Sequence, residues 1–248
     1  MHYYEKLPIF PLQTVLFPGM SLPLHIFEPR YRLMVAHCIK RRAPFGVVLI
    51  PGIDETSIDD EPVASICRLG STARIVRSDS LVDGRFFIDV RGETRFEIEE
   101  VFNDREYLTA RVRPVAEPDI PANFHHEVIG EVASLFREYL AAAMVGTSRR
   151  ISALQLPDEP SALSYAVAAA LDVSADEKQR LLEAPTITER FDLEIQMLRD
   201  ARHARSGRTA PIYDVEPPAP EMPRIAARGG ATIRPLDYSV VRSMISRN

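Results

Sequence analysis

Tryptophan is absent from the chain, cysteine occurs only at Cys38 and Cys67, and lysine only at Lys6, Lys40 and Lys178. Two cysteines cannot build a disulfide framework and fit a reducing compartment, so burial alone has to hold a chain of 248 residues together. Both are expected as buried free thiols. With three lysines, a serine–lysine catalytic pair has few bases to draw on, and none of them follows a glycine in a phosphate-binding G-x-x-x-x-G-K-[ST] loop. The G-x-S-x-G, H-E-x-x-H and C-x-x-C patterns are missing as well. No uninterrupted run of about 18 apolar residues suggests a membrane span. The first ten residues lack the basic-then-apolar pattern of a signal peptide. The expected location is the cytoplasm. A formal net charge of −5 supplies no electrostatic reason to seek nucleic acid or anionic lipid.

Proline is plentiful, and its placement organises the chain. Residues 7–31 are almost wholly apolar, yet Pro8, Pro11, Pro18, Pro23 and Pro29 interrupt them, with Gly19 beside Pro18. Each proline removes a backbone donor and fixes φ, so no helix runs through this stretch. It reads as short extended segments joined by tight turns, buried in a β-rich core. Helical spacing follows over 29–42, where Tyr31, Met34, Val35, Cys38 and Ile39 share one side and Pro29 suits the first turn. Residues 45–50 are continuously apolar and β-branched, as in a strand buried on both faces. Residues 51–62 read as an exposed acidic loop. Further strands are expected over 71–77, 86–90, 95–102 and 107–115. Asp83-Gly84 sits at a hairpin turn, and Arg91-Gly92 at a second turn or bulge.

From 117–123 onward the pattern becomes helical. Asn123 can cap a helix running to about residue 145, and an alanine-rich helix covers 161–171. Ser174 and Glu177 form a capping box, and Thr186 or Thr188 can cap a last helix stopping at Gly207. After residue 206 the chain is rich in proline and glycine. There, residues 236–245 carry enough apolar side chains to dock as a strand or one helical turn.

Chemistry-bearing clusters do not emerge. His125 and His126 are adjacent, so on a helix their rings diverge by about 100°. His25 fits a hydrogen-bonded strand edge. His37 and Cys38 do not face each other on a helix. Arg74, Arg77, Arg85, Arg91, Arg95, Arg111 and Arg113 are interleaved with acidic residues, and the aromatic pattern of an RNA-binding sheet is missing.

Against this background a series of motifs stands out. These are Leu7-Pro8-Ile9-Phe10-Pro11-Leu12, Val15-Leu16-Phe17-Pro18-Gly19 and Leu24-His25-Ile26-Phe27-Glu28-Pro29-Arg30-Tyr31. Later come Gly70 to Ile75, Asp83-Gly84-Arg85, Val90-Arg91-Gly92, Arg95-Phe96, Ala168 to Leu171, Glu177 to Glu183 and Arg190-Phe191. In this order they resemble the LON substrate-binding domain, the amino-terminal domain of Lon-type ATP-dependent proteases, which also occurs alone in small bacterial proteins. The resemblance covers about residues 5–203. It implies an α+β fold with a β-rich, PUA-like pseudo-barrel carrying one helix, followed by a helical bundle. The expected division is 1–118 for the β-rich part, 119–206 for the bundle and 207–248 for a proline-rich tail. In full-length Lon a long helix leads on to ATPase and protease modules. Here Gly207 and the proline-rich stretch take its place, so neither activity is carried over and the domain is expected to stand alone.

The resemblance implies a non-catalytic protein- or peptide-binding module, acting as an adaptor or client-binding protein, with no cofactor, metal or catalytic residue. Its expected partners are unfolded or degron-bearing proteins or peptides, with a protease or chaperone beside them and no membrane. The protein is expected as a monomer or homodimer. RNA binding by the barrel is the alternative, and nucleic acid is disfavoured as a partner. The candidate protein-binding residues are apolar side chains left exposed beside the proline turns, Phe17, Met20 and Leu22, together with Ile53 and Ile58 of the acidic loop. Core filling is the competing reading of each.

Overall fold

A computed structural model describes residues 4–51, 66–117, 126–143, 156–206 and 231–233. The elements are β1 (Tyr4–Leu12), β2 (Ser21–Ile26), α1 (Pro29–Arg41), β3 (Phe45–Leu49), β4 (Leu69–Ser80), β5 (Phe86–Phe102), β6 (Thr109–Pro114), α2 (His126–Ala143), α3 (Pro160–Ala170), α4 (Ala175–Glu183), α5 (Ile187–Ser206) and β7 (Ala231–Ile233). The strands form one mixed sheet in the order β4-β3-β1-β6-β5-β2-β7. β4 also pairs with β5, so the hydrogen bonding runs from β4 through β3, β1, β6 and β5 back to β4. β2 extends outward from β5, and β7 from β2.

The opening stretch folds as its prolines require. Phe17-Pro18-Gly19-Met20 is a type II turn, closed by the Met20 N–H donating to the Phe17 carbonyl at 3.0 Å, with Gly19 at φ +80°. The turn is clasped onto Gly92 of β5. The Gly92 N–H donates to the Met20 carbonyl at 2.9 Å, and the Gly92 carbonyl accepts from the Gly19 N–H at 2.8 Å. A Cβ on Gly92 would stand 2.2 Å from the Phe17 carbonyl oxygen, so the two backbones meet where only glycine fits. Beyond the turn, β2 pairs antiparallel with β5 from Ser21↔Arg91 to Ile26↔Phe86, and the chain enters α1 at Pro29.

β1 alternates between two cores. Leu7 and Ile9 join Val48, Phe96, Ile98, Ala110 and Val112 in a smaller one. Phe10 and Leu12 face a larger one shared with α1 and the later helices. β3 is buried along its whole length and pairs parallel with β1, which explains its uninterrupted apolar sequence.

Three expectations change. Residues 86–102 are one strand and not two, because Arg91-Gly92 is absorbed as an irregularity. The register passes from Ser71↔Arg95 to Ala73↔Gly92, and the Thr94 N–H donates to Thr72 Oγ1 at 3.1 Å across the gap. Cys67 is only half-buried, whereas Cys38 is in the core. In the tail the described strand is Ala231–Ile233, ahead of residues 236–245, which lie outside the described residues. Most of the acidic loop, Asn123, Gly207 and the 207–230 stretch also lie outside them.

The helix signals stand where they are described. The Ser174–Glu177 capping box opens α4, and Thr186 Oγ1 accepts from the Glu189 N–H at 3.1 Å to cap α5. α5 packs against α2, α3 and α4. Among the described residues no helix is long and apolar enough to cross a membrane.

Candidate protein-binding surface

Phe17, Met20 and Leu22 are 0%, 2% and 3% exposed, which corrects the expectation that they protrude. The type II turn folds Phe17 and Met20 inward, and Leu22 falls on the inner face of β2 with Leu24 and Ile26. Ile53 and Ile58 lie outside the described residues.

The surface that β2 offers is its other face and its outer edge. Ser21, Pro23 and His25 alternate with the buried leucines and isoleucine. His25 stacks on Phe87 of β5, with ring centroids 4.4 Å apart and planes 19° from parallel, and the Phe27 ring lies 5.9 Å from His25. Phe27 is 39% exposed. Pro23, His25, Phe87, Asp89, Arg77 and Asp79 line a groove of about 270 Å³ across β2, β5 and β4, and Arg77 pairs with Asp79 at 2.8 Å. The groove thus offers flat aromatic faces bordered by charges of both signs.

Along the outer edge of β2 lies β7, antiparallel, with Leu24↔Ile233, His25↔Thr232 and Ile26↔Ala231 in register. Pro23 was the available sequence signal for this edge, since a proline inside an alternating strand is tolerated where its missing N–H faces outward. The sequence gives no comparable sign for Phe87, which reaches His25 only through the β2–β5 register.

A polar junction fixes the helices to the sheet. Arg190 of α5 is fully buried. Its Nε donates to Ser164 Oγ at 2.6 Å, one terminal nitrogen donates to the Tyr165 hydroxyl at 3.1 Å, and the other pairs with Glu117 at 3.2 Å. Glu117 also accepts from the Tyr165 hydroxyl and pairs with Arg95 of β5 at 3.1 Å. Arg95 in turn donates to the carbonyls of Leu182 at 2.9 Å and Ala184 at 3.2 Å, closing the C-terminal end of α4 with a positive charge. Ser164 donates to Glu194 at 2.6 Å, and burial holds the Glu194 carboxyl well above the usual carboxylate range. Gln179 of α4 donates to the Leu69 carbonyl at 3.0 Å, tying α4 to β4. These groups hold one another and the β2–β5 platform in place, although Arg95 Nε, Gln179 Oε1 and Glu194 Oε2 are left without a hydrogen-bond partner among the described residues.

Most of the sheet arginines are paired locally. Arg74 pairs with Glu93, Arg77 with Asp79, Arg85 with Asp83, Arg111 with Glu5 and Glu100, and Arg113 with Glu97 and Glu99. Among the described residues no group of three His, Cys, Asp or Glu side chains could hold a metal ion. His37 is engaged by the Tyr107 hydroxyl at 3.1 Å. Burial pushes the Cys38 thiol up to about 11, which suppresses its thiolate.

Residues 6–200 match the family model of the ATP-dependent protease La (LON) substrate-binding domain. Curated relatives include Lon protease of Methylocella silvestris, 29% identical over 200 residues, and Lon protease 2 of Myxococcus xanthus, 28% identical over 200 residues. These alignments cover 78% and 80% of this chain and 24% of each relative, so the chain spans about a quarter of the length of the curated relatives it matches. Among solved structures, the Lon N-terminal domain protein from Xanthomonas campestris superposes with a TM-score of 0.56 at 24% identity, covering 79% of this chain and 98% of that one. The N-terminal domain of Mycobacterium avium complex Lon protease gives 0.55 at 20% identity, with coverage of 79% and 99%. The two structures share the fold described above.

Proposed function

Because the chain belongs to the LON substrate-binding domain family, we propose that it recognises polypeptide substrates in an extended or unfolded state and carries out no chemistry on them. The family match over residues 6–200 carries this reading. The surface of β2 supports it: an exposed Phe27 and a His25–Phe87 stack beside a shallow groove suit an irregular chain better than a small rigid ligand. In this reading the ring of paired strands serves as the family's PUA-like pseudo-barrel, the helices brace it, and the protein works in the cytoplasm as a monomer or homodimer. As an adaptor it hands its client to a protease or chaperone. RNA binding draws no support, since most of the sheet arginines already face carboxylates and Arg95 is spent inside the junction.

The test compares the full chain's binding to reduced, carboxymethylated α-lactalbumin, which stays unfolded, with its binding to native α-lactalbumin, by fluorescence anisotropy. Saturable binding of the unfolded form alone is expected. Equal binding of both forms, or of neither, would overturn the reading.

A further inference from the structure

Two irregularities from distant parts of the chain meet at one groove. α1 ends in a Schellman motif, with the Arg42 N–H donating to the Ile39 carbonyl at 3.2 Å and the Ala43 N–H to the Cys38 carbonyl at 3.0 Å. The residue that turns left-handed there is Arg42, at φ +51° and ψ +34°. Glycine is the usual occupant of such a position, and Arg42 is the only non-glycine residue with a positive φ among the described residues. Across from it, the register of β4 on β5 passes from Ile75↔Val90 to Arg77↔Asp89, so Val76 is the extra residue of a bulge. Val76 is 58% exposed. β3 pairs with β4 only as far as Phe45↔Ala73, and a groove of about 370 Å³ opens beyond that point. Its apolar lining comes from Ile39, Ile75 and Val76, and its cations are Arg42, Arg74 and Arg77.

Charge complementarity names the occupant. Arg74 is committed: its guanidinium pairs with Glu93 and donates to the Arg42 carbonyl at 3.3 Å, which holds the left-handed turn against β4. Arg77 pairs with Asp79. Arg42 has no acidic partner among the described residues, nor has Arg41, whose charge reaches the Cys38 thiol beside the groove. Lys40 and Arg41 complement the negative end of α1, but that does not explain why an arginine holds the left-handed position, where glycine would end the helix at lower cost. We propose that this groove docks an extended acidic segment of a partner protein, with one of its carboxylates taken by Arg42 and a neighbouring apolar side chain set against Val76 and Ile75. The groove shares Arg77 with the β2 groove described above but does not depend on client binding there. A peptide suits it better than RNA, since no aromatic ring among the described residues lines it to stack a base.

The probe is a short fluorescein-labelled peptide of glutamate and aspartate around a central isoleucine, titrated with the full chain and read by fluorescence anisotropy. Saturable binding that weakens with added salt is expected. Arg42→Gly should weaken it about tenfold or more, the worth of a hydrogen bond to a charged group. The same variant should unfold in urea no earlier than the unsubstituted chain, because glycine suits the left-handed position. Binding lost with stability retained is a result that misfolding cannot produce. Val76→Ser should weaken the isoleucine peptide severalfold and leave a peptide with glycine in the central place unaffected. Equal losses for the two peptides would overturn the apolar contact. Unchanged affinity in Arg42→Gly, equal binding of a peptide whose acids are replaced by their amides, or no saturation at millimolar peptide would overturn the inference. An oligouridylate that outcompetes the peptide would overturn it too and assign the groove to nucleic acid.

Discussion

The guanidinium of Arg190 lies 4.1 Å from the centre of the Tyr165 ring while donating a hydrogen bond to the hydroxyl of the same residue at 3.1 Å. One tyrosine from α3 thus receives the cation both over its face and at its polar tip, and Glu117 closes the circuit. Arg190→Met keeps much of the volume but leaves Ser164, Tyr165 and Glu117 without their shared donor. Arg190 is buried but Glu117 is 38% exposed, so leaving Ser164 and Tyr165 without their donor should cost about 1–3 kcal/mol. Urea unfolding should show that loss, and a change under about 1 kcal/mol would mean the junction is not coupled.

Glu194 gives the junction a pH dependence. Burial raises its carboxyl pKa above the ordinary 4.5, so the folded state keeps a proton that the unfolded chain releases. The stability contributed by this group is therefore complete below about pH 4.5 and is lost as pH rises towards the folded value. Glu194→Gln, which cannot ionise, should remove that slope. Stability of the two proteins measured from pH 4 to pH 8 should diverge progressively in favour of the glutamine variant. Parallel curves would show that the carboxyl is not held protonated.

Two glycines separate backbone strain from close contact. Gly19 has φ +80° with open space around the position of a Cβ, so Gly19→Ala should cost only the left-handed penalty of about 1–2 kcal/mol. Gly92 has no such φ, but its Cβ would strike the Phe17 carbonyl at 2.2 Å, and that atom is fixed backbone. Gly92→Ala should cost about 1–3 kcal/mol through overpacking and should also quicken amide exchange at Gly19 and Gly92 as the clasp opens. Similar exchange in both variants would contradict the distinction.

What could be read from the sequence was local. Pro18-Gly19, Asp83-Gly84 and the Ser174–Glu177 box each carry their structural instruction within four residues, and each stands where expected. The apolar run of β3 announced burial on both faces. What stayed hidden depended on distance along the chain. Arg190 and Glu194 stand one helical turn apart, and nothing near them in the sequence reveals that Ser164 and Glu117 meet them at the junction. Phe17, Met20 and Leu22 were read as exposed because prolines flank them. The clasp onto Gly92, some seventy residues away, is what turns them inward. Pairing of β2 with β7 was illegible for the same reason, although Pro23 marked the edge.

The two thiols should respond differently to alkylation. Cys38 is buried and its thiol is pushed up to about 11, while Cys67 is half-exposed and its pKa is raised chiefly by partial burial. Iodoacetamide under native conditions should label Cys67 first. Cys38 should be labelled at the rate at which the fold opens, accelerating with urea. Mass spectrometry of a time course checks the order, and prompt labelling of Cys38 would show that the α1 face is less closed than described.

Ala231 follows Ile26 by 205 residues, so during synthesis the outer edge of β2 is made long before the strand that covers it. At a translation speed of about 5–20 residues per second, the interval is roughly 10–40 s. Throughout that time a nascent molecule displays an uncovered edge, and in a crowded polysome its nearest extended neighbours are other unfinished copies of itself. A segment that emerges some two hundred residues later thus closes a window during which the growing chain is at its most adhesive.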